Sequence, residues 1–155
     1  MTVWQIASGD GNHDYSKVFL DYGVMLVGPG EPGPFHDNRE VYQNSEWLPS
    51  FVDAPVEDLV ILKRPSGSRF EVVAVGQIAG AYEYLSQFED VEGWDLQHSR
   101  RVHWKRASSA PVIEGLRRGT FYGVNNEATI RTAQGMWQTG IPIPSKRTAS
   151  AGPES

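Results

Sequence analysis

The residue types that could do chemistry in this chain are few, and they are poorly grouped for catalysis. There is no cysteine among the 155 residues. Thiolate nucleophiles, disulfides and Cys-based zinc sites are therefore absent. The four histidines, His13, His36, His98 and His103, contain no i, i+4 pair that could grip a metal from one helix face. Asp10, His13 and Asp14 sit close together, but a polar turn accounts for them. No Gly-x-Ser-x-Gly elbow, lysine-bearing phosphate loop or nuclease-type Asp followed by Glu-x-Lys is present. Gly28-Pro29-Gly30-Glu31-Pro32-Gly33 fits G-x-G-x-x-G only formally. Pro29 and Pro32 have no N–H to offer a pyrophosphate, and no helix signal follows. No catalytic residue, metal ligand or cofactor is expected, although a triad assembled in space leaves no trace in spacing.

Binding chemistry is better represented. Tyr82, Tyr84, Phe88 and Trp94 fall within a short stretch, and Trp94 lies in the polar segment Glu92-Gly93-Trp94-Asp95-Leu96-Gln97. A tryptophan in that setting, next to a basic strand, suits stacking on a base; the alternative is a lid on the end of a barrel. Trp4 and Trp104 alternate with polar residues and read as core. The net charge is −5, but unevenly spread. Residues 1–60 carry acids against only Lys17 and Arg39. Residues 99–131 carry Arg100, Arg101, Lys105, Arg106, Arg117, Arg118 and Arg131 against Glu114 and Glu127. One basic face on an acidic chain can take a polyanion or remain a solvated surface.

The elements that must position these residues follow from pattern. Val3–Ile6 reads as a first strand, stopped by the polar turn 7–12. A short helix through Val18, Phe19 and Leu20 is expected, with Asp14 or Ser16 as its N-cap and Gly23 as its C-terminal cap. Val24–Val27 reads as a buried strand, 28–38 as an irregular loop, and Val41–Val52 as weakly helical. Leu59–Arg64 is a strand and 65–68 a turn. Phe70–Tyr84 is a long strand, apolar on both faces and therefore central, with Gly76 and Gly80 marking bends. Arg101–Lys105 is a half-buried strand with a basic outer face. Thr120–Val124 and Ala128–Thr132 read as a last strand pair joined at Asn125-Asn126. From Ile141 the composition is that of a tail. The sum is an α+β domain, a small mixed β-barrel of five to six strands flanked by short helices. It spans residues 1–140, with 141–155 a disordered tail or a linker to an effector domain. No apolar run spans a bilayer and no signal peptide opens the chain, so no membrane contact and a cytoplasmic location are expected.

The segments "DYGVMLVGPGEPG", "DLVILKRP", "FEVVAVGQIAGAYEY" and "GWDLQHSRRVHWKR", in this order, are similar to the EVE domain, a relative of the YTH and PUA-like folds. The versions attached to modification-dependent restriction endonucleases (EVE–HNH type) are the nearest in character. The likeness runs from about residue 3 to 132, and Trp94–Trp104 (W-D-L-x-H-x-R-R-V-x-W) is its most specific part. Family members often carry Gly-Trp after the second strand, where this chain has Gly28-Pro29. The resemblance implies a PUA-like or YTH-like barrel whose aromatic pocket holds one modified base flipped out of double-stranded DNA. The base would be 5-methylcytosine, 5-hydroxymethylcytosine or N6-methyladenine. It assigns the pocket walls to Trp94 and Tyr84 with Tyr82 nearby, and further contacts to Met25 and Leu26. Ser8 and Asp10 would meet the base edge. Arg100, Arg101, Lys105, Arg106, Arg117 and Arg118 would hold the nucleic-acid backbone. It also implies a fused nuclease domain that does the cutting, so this chain would be a binding domain and no enzyme. The alternatives are a PUA-like RNA-binding module, or a small hydrolase or nucleotide-binding enzyme on the same barrel.

Overall fold

In the computed structural model, which describes residues 1–10, 12–66, 69–107 and 115–146, the chain forms one curled sheet with short helices on both sides. The strands are β1 (Val3–Ala7), β2 (Val24–Val27), β3 (Leu59–Ser66), β4 (Arg69–Tyr84), β5 (His98–Arg106), β6 (Phe121–Gly123) and β7 (Ile141–Pro142). The helices are α1 (Ser16–Tyr22), α2 (Arg39–Tyr42), α3 (Leu48–Asp53) and α4 (Glu127–Thr139). The sheet order is β2-β5-β4-β3-β1-β6, with β7 added beside β5. Only β1 and β3 run parallel. The result is a half-barrel of seven strands, two more than the lower end of the sequence expectation.

Two irregularities bend the sheet. The β3–β4 register slips between Leu62 and Lys63, and the β4–β5 register slips between Ile78 and Tyr82. Bulges increase local twist and turn a strand corner, which a sixteen-residue strand needs if its two ends are to serve different parts of one curl. The concave face holds the main core, including Ile6, Phe19, Val60, Leu62, Ala74, Ile78, Trp104 and Phe121. The convex face holds a second core of Val3, Leu59, Ile61, Val72 and Val75, closed by Ala133 and Met136 of α4. The two-faced apolar pattern of β4 is thereby explained.

Arg100 ties the curl to the segment that crosses it. Its side chain is only 2% exposed. Nε donates to the Gly80 carbonyl at 2.8 Å, on the β4 bulge. Nη1 donates to Phe51 and Val52, and Nη2 to Ala54, at the end of α3. Burial pushes the guanidinium pKa down, while Asp53 and Asp58 pull it back.

Three sequence expectations are corrected. Ala128–Thr132 is not a strand but the first part of α4. The Asn126 side chain accepts the Thr129 amide at 3.0 Å, and Thr129, Ala133 and Met136 recur at helical spacing on the buried side. The β-branched Thr129, Ile130 and Thr132 suggest a strand locally, but this cap and stripe outweigh them. Residues 141–146 are not a tail: β7 pairs with β5, Ile143 donates its amide to Trp104 O, and Lys146 forms an ion pair with Asp21. The helical stretch 41–52 is two separate short helices. Residues 11, 67–68, 108–114 and 147–155, and the turn and tail expectations that fall on them, lie outside the described residues.

Removing a buried guanidinium leaves its carbonyl acceptors without a donor, which costs about 1–3 kcal/mol for a buried group. Arg100→Ala is expected to lower stability by that amount in urea unfolding. Arg101→Ala, on the neighbouring exposed side chain, is expected to stay within about 0.5 kcal/mol of the parent. Equal small effects would overturn the assigned role.

Candidate functional site

β1 and β2 are separated by three strands in the sheet, yet the curl brings their C-terminal ends to one cavity. Ala7 and Ser8 come from the end of β1, Leu26, Val27 and Gly28 from the end of β2, and Tyr15 and Phe19 from α1 and its start. Trp94 and Leu96 close one side, and Gly9, Asp10 and Thr120 another. The volume is about 170 Å³. A dry cavity of about 150 Å³ accepts one benzene, so the space suits a single planar ring and not a dinucleotide.

Tight turns shape the mouth. Asp10 Oδ1 accepts the Asn12 and His13 amides and lies 3.1 Å from His13 Nδ1. These contacts hold the Asp10 carboxyl below its ordinary range, the Asn12 amide most of all. A second turn exchanges two backbone hydrogen bonds between Val91 and Trp94, with Glu92 and Gly93 both at positive φ. It presents Trp94, 45% exposed, edge-on to the His13 ring at 5.3 Å. Gly28 forms part of the wall because only glycine fits: a Cβ there would fall 1.9 Å from the Asp95 carbonyl oxygen.

The floor is apolar, with Phe19, Leu26 and Val27 all buried. Among the described residues, four buried side-chain polar atoms have no hydrogen-bond partner, and two of them, Ser8 Oγ and Tyr15 OH, belong to residues that line this cavity but are themselves shielded from solvent. Ser8 faces the Asp14 carboxylate without closing a hydrogen bond of ordinary geometry. Tyr15 is 6% exposed, and burial, reinforced by Asp10 and Glu92, pushes its phenol pKa up. The phenol therefore stays a neutral donor. A buried polar atom without a partner costs about 1–3 kcal/mol.

Of the residues expected in a pocket, Ser8, Asp10, Leu26 and Trp94 line this one. Met25 is fully buried in the main core and does not. Tyr82 and Tyr84 are also elsewhere, because β4 beyond its bulge turns them toward the 28–38 loop. Tyr84 OH donates to Gly30 O at 2.8 Å. Tyr82 OH donates to His98 Nδ1 at 2.6 Å and accepts the Phe35 amide, while His98 Nε2 donates to Pro29 O. Burial pushes the Tyr82 phenol up to about 12 and the His98 imidazole down. These aromatics brace the loop whose first residue walls the cavity. The Gly28–Gly33 stretch forms no phosphate-binding turn into a helix.

The expected backbone contacts divide similarly. Arg100 is buried and fully engaged, so it cannot meet a phosphate. Lys105 donates to Trp137 O and lies over the Trp137 ring at 4.0 Å. The Arg117 guanidinium lies over Tyr122 at 3.8 Å. Arg101, Arg106, Arg117 and Arg118 are exposed. Arg106 borders a different cleft, with Lys17 and Arg64, and Arg118 borders the neighbour of the ring-sized cavity. Tyr15, Phe19, Leu96 and Thr120 are lining residues that sequence reasoning missed. The apolar stripe of α1 marked Phe19 as buried but could not show against what. Among the described residues no three His, Asp or Glu side chains converge to hold a metal, and no helix is long and apolar enough to cross a membrane. No protein-family model matches the chain, and neither does any curated protein.

Two outcomes are expected. Tyr15→Phe removes an unpartnered buried hydroxyl and should raise stability in urea by about 1 kcal/mol; a loss would mean the hydroxyl has a partner. His98 is harder to protonate folded than unfolded, so its stability contribution is complete above about pH 6.5. It is lost as pH falls through the lower folded pKa. Unfolding free energies between pH 7.5 and 5.5 should decline with acid in the parent, and less steeply in His98→Asn. Parallel slopes would show that His98 does not titrate this way.

Proposed function

We propose that the chain is a reader of a single modified base, flipped from double-stranded DNA into the cavity between β1, β2 and α1, in the manner of an EVE-like, PUA-related domain. The observation that carries the reading is a ring-sized cavity with an apolar floor, Asp10 on its wall and a half-exposed tryptophan at its mouth. Stacking on Trp94 would contribute about 1–3 kcal/mol against the few kcal/mol that unstacking a base costs. Asp10 is ionised and accepts only, so it suits an amino edge such as cytosine N4 or adenine N6. An added methyl would lie on Phe19, Leu26, Val27 or Leu96, and burying one carbon contributes about 0.8 kcal/mol, roughly a fourfold preference.

The chain's own part is binding, with DNA cleavage assigned to a fused nuclease domain. Competition binding at one fixed salt concentration tests this. Duplexes would carry cytosine, 5-methylcytosine, 5-hydroxymethylcytosine, adenine or N6-methyladenine at one position, with matched RNAs. One modified duplex should be preferred by about fourfold or more. Trp94→Ala should weaken it roughly tenfold. Equal binding of all duplexes sinks the proposal, and a winning RNA redirects it to an RNA module.

A further inference from the structure

A second cavity, of about 220 Å³, adjoins the first, sharing Ala7, Gly9, Asp10 and Thr120 with it. Its own walls are Lys63, Pro65, Phe70, Arg118 and Gly119. Lys63 is the notable member. It is 1% exposed and pairs with Ala7 at the end of β1, just past the slip in the β3–β4 register. Nζ donates to Gln5 Oε1 at 2.9 Å and to the Arg117 carbonyl oxygen, and it lies 4.8 Å from the centre of the Phe70 ring. Among the described residues it forms no ion pair. An ammonium buried without a carboxylate is unfavourable, and the nearby Arg117 adds to the cost: burial first, then that charge, lowers the Lys63 pKa to about 8. Its partners, Gln5 Oε1, the Arg117 carbonyl and the Phe70 ring, are all neutral, and among the described residues no carboxylate pairs with it.

We infer that the Lys63–Arg118 cavity is the seat of an anionic phosphodiester group, next to the ring-sized cavity and separated from it by the Asp10 wall. The inference rests on the base-reading proposal and deepens it. A nucleotide presents an amino-bearing base edge and, a few atoms away, an anionic phosphate. The paired cavities have the complementary polarity, with the Asp10 carboxylate on the shared wall and two cations beyond it. Arg118 is exposed and its side chain forms no hydrogen bond or ion pair among the described residues, so its guanidinium can close bidentately on an arriving phosphate. The other cations are placed otherwise: Arg100 is engaged by four carbonyls, Lys105 by Trp137, and Arg106 faces a different cleft.

The test titrates the full chain with inorganic phosphate at constant ionic strength, against chloride, and follows the amide resonances of Arg118, Gly119 and Thr120. Saturable shifts at these amides are expected, with affinity weakened at least fivefold in Arg118→Gln, an exposed position whose replacement leaves the core intact. Lys63 also braces Gln5 and Arg117, so Lys63→Met serves only as a supporting variant. Shifts no larger than those from chloride, or unchanged in Arg118→Gln, overturn the inference. A second arm compares modified duplexes with and without one neutral methylphosphonate linkage beside the modified base. The neutral linkage should weaken the parent and leave Arg118→Gln unaffected. If the modified-base preference is present but neither phosphate nor the linkage depends on Arg118, the anion seat is wrong and the base reading stands. If phosphate seats at Arg118 but no duplex is preferred, the base reading is wrong and the anion seat stands.

Discussion

A guanidinium taken out of water has to find acceptors for its donors, and in this protein Arg100 finds them in two places, which the backbone pairing of Glu57 and Asp58 with Ile78 also joins. One is the Gly80 carbonyl, freed from strand pairing by the β4 bulge. The others are the carbonyls at the end of α3, which a helix terminus leaves without intrahelical partners. The bulge needs a donor and the short helix needs a cap, and one side chain supplies both. The sheet's sharp bend and the crossing of the 39–58 segment are therefore mutually dependent.

The cavity is a consequence of that bend. Flat, the sheet would hold β1 and β2 three strands apart; curled, it brings their C-terminal ends within reach of α1, which fills most of the gap between them. What α1 leaves unfilled is the space beneath Tyr15 and Phe19. The walls are held by features with few degrees of freedom. They are two tight turns, a glycine pressed against the Asp95 carbonyl, and a loop pinned by Tyr42, Tyr82, Tyr84 and His98. A cavity so braced keeps its shape without an occupant, so binding there needs little reorganisation. The unpartnered Tyr15 and Ser8 oxygens beside it are a local loss of stability.

Charge follows the same division. Asp10 and Glu92 act on Tyr15 at the ring-sized cavity, while Lys63 and Arg118 stand beyond the shared wall. The arginines that dominate the sequence from 99 to 131 do not form one basic face. One is a core cross-link, one lies on a tyrosine, and Lys105 meets the end of α4. Net positive charge along a segment thus says little about potential at a surface until burial and pairing are known.

Strand periods, the α1 stripe ending at Gly23, and the two-faced character of β4 were legible in the residues, because they are local consequences of side-chain alternation and backbone preference. So was Trp94 as an aromatic out of place in a polar segment, since burial preference is a property of the residue and its neighbours. The helix at Glu127–Thr139 was obscured by β-branched residues whose local preference a side-chain cap and a packed face reversed. The cavity itself, with Tyr15, Phe19 and Thr120 beside Trp94, and the division of the arginines between core and surface, were decided only by tertiary structure. They depend on which residues distant in the chain meet when the sheet curls, and no spacing along the sequence encodes a distance through space.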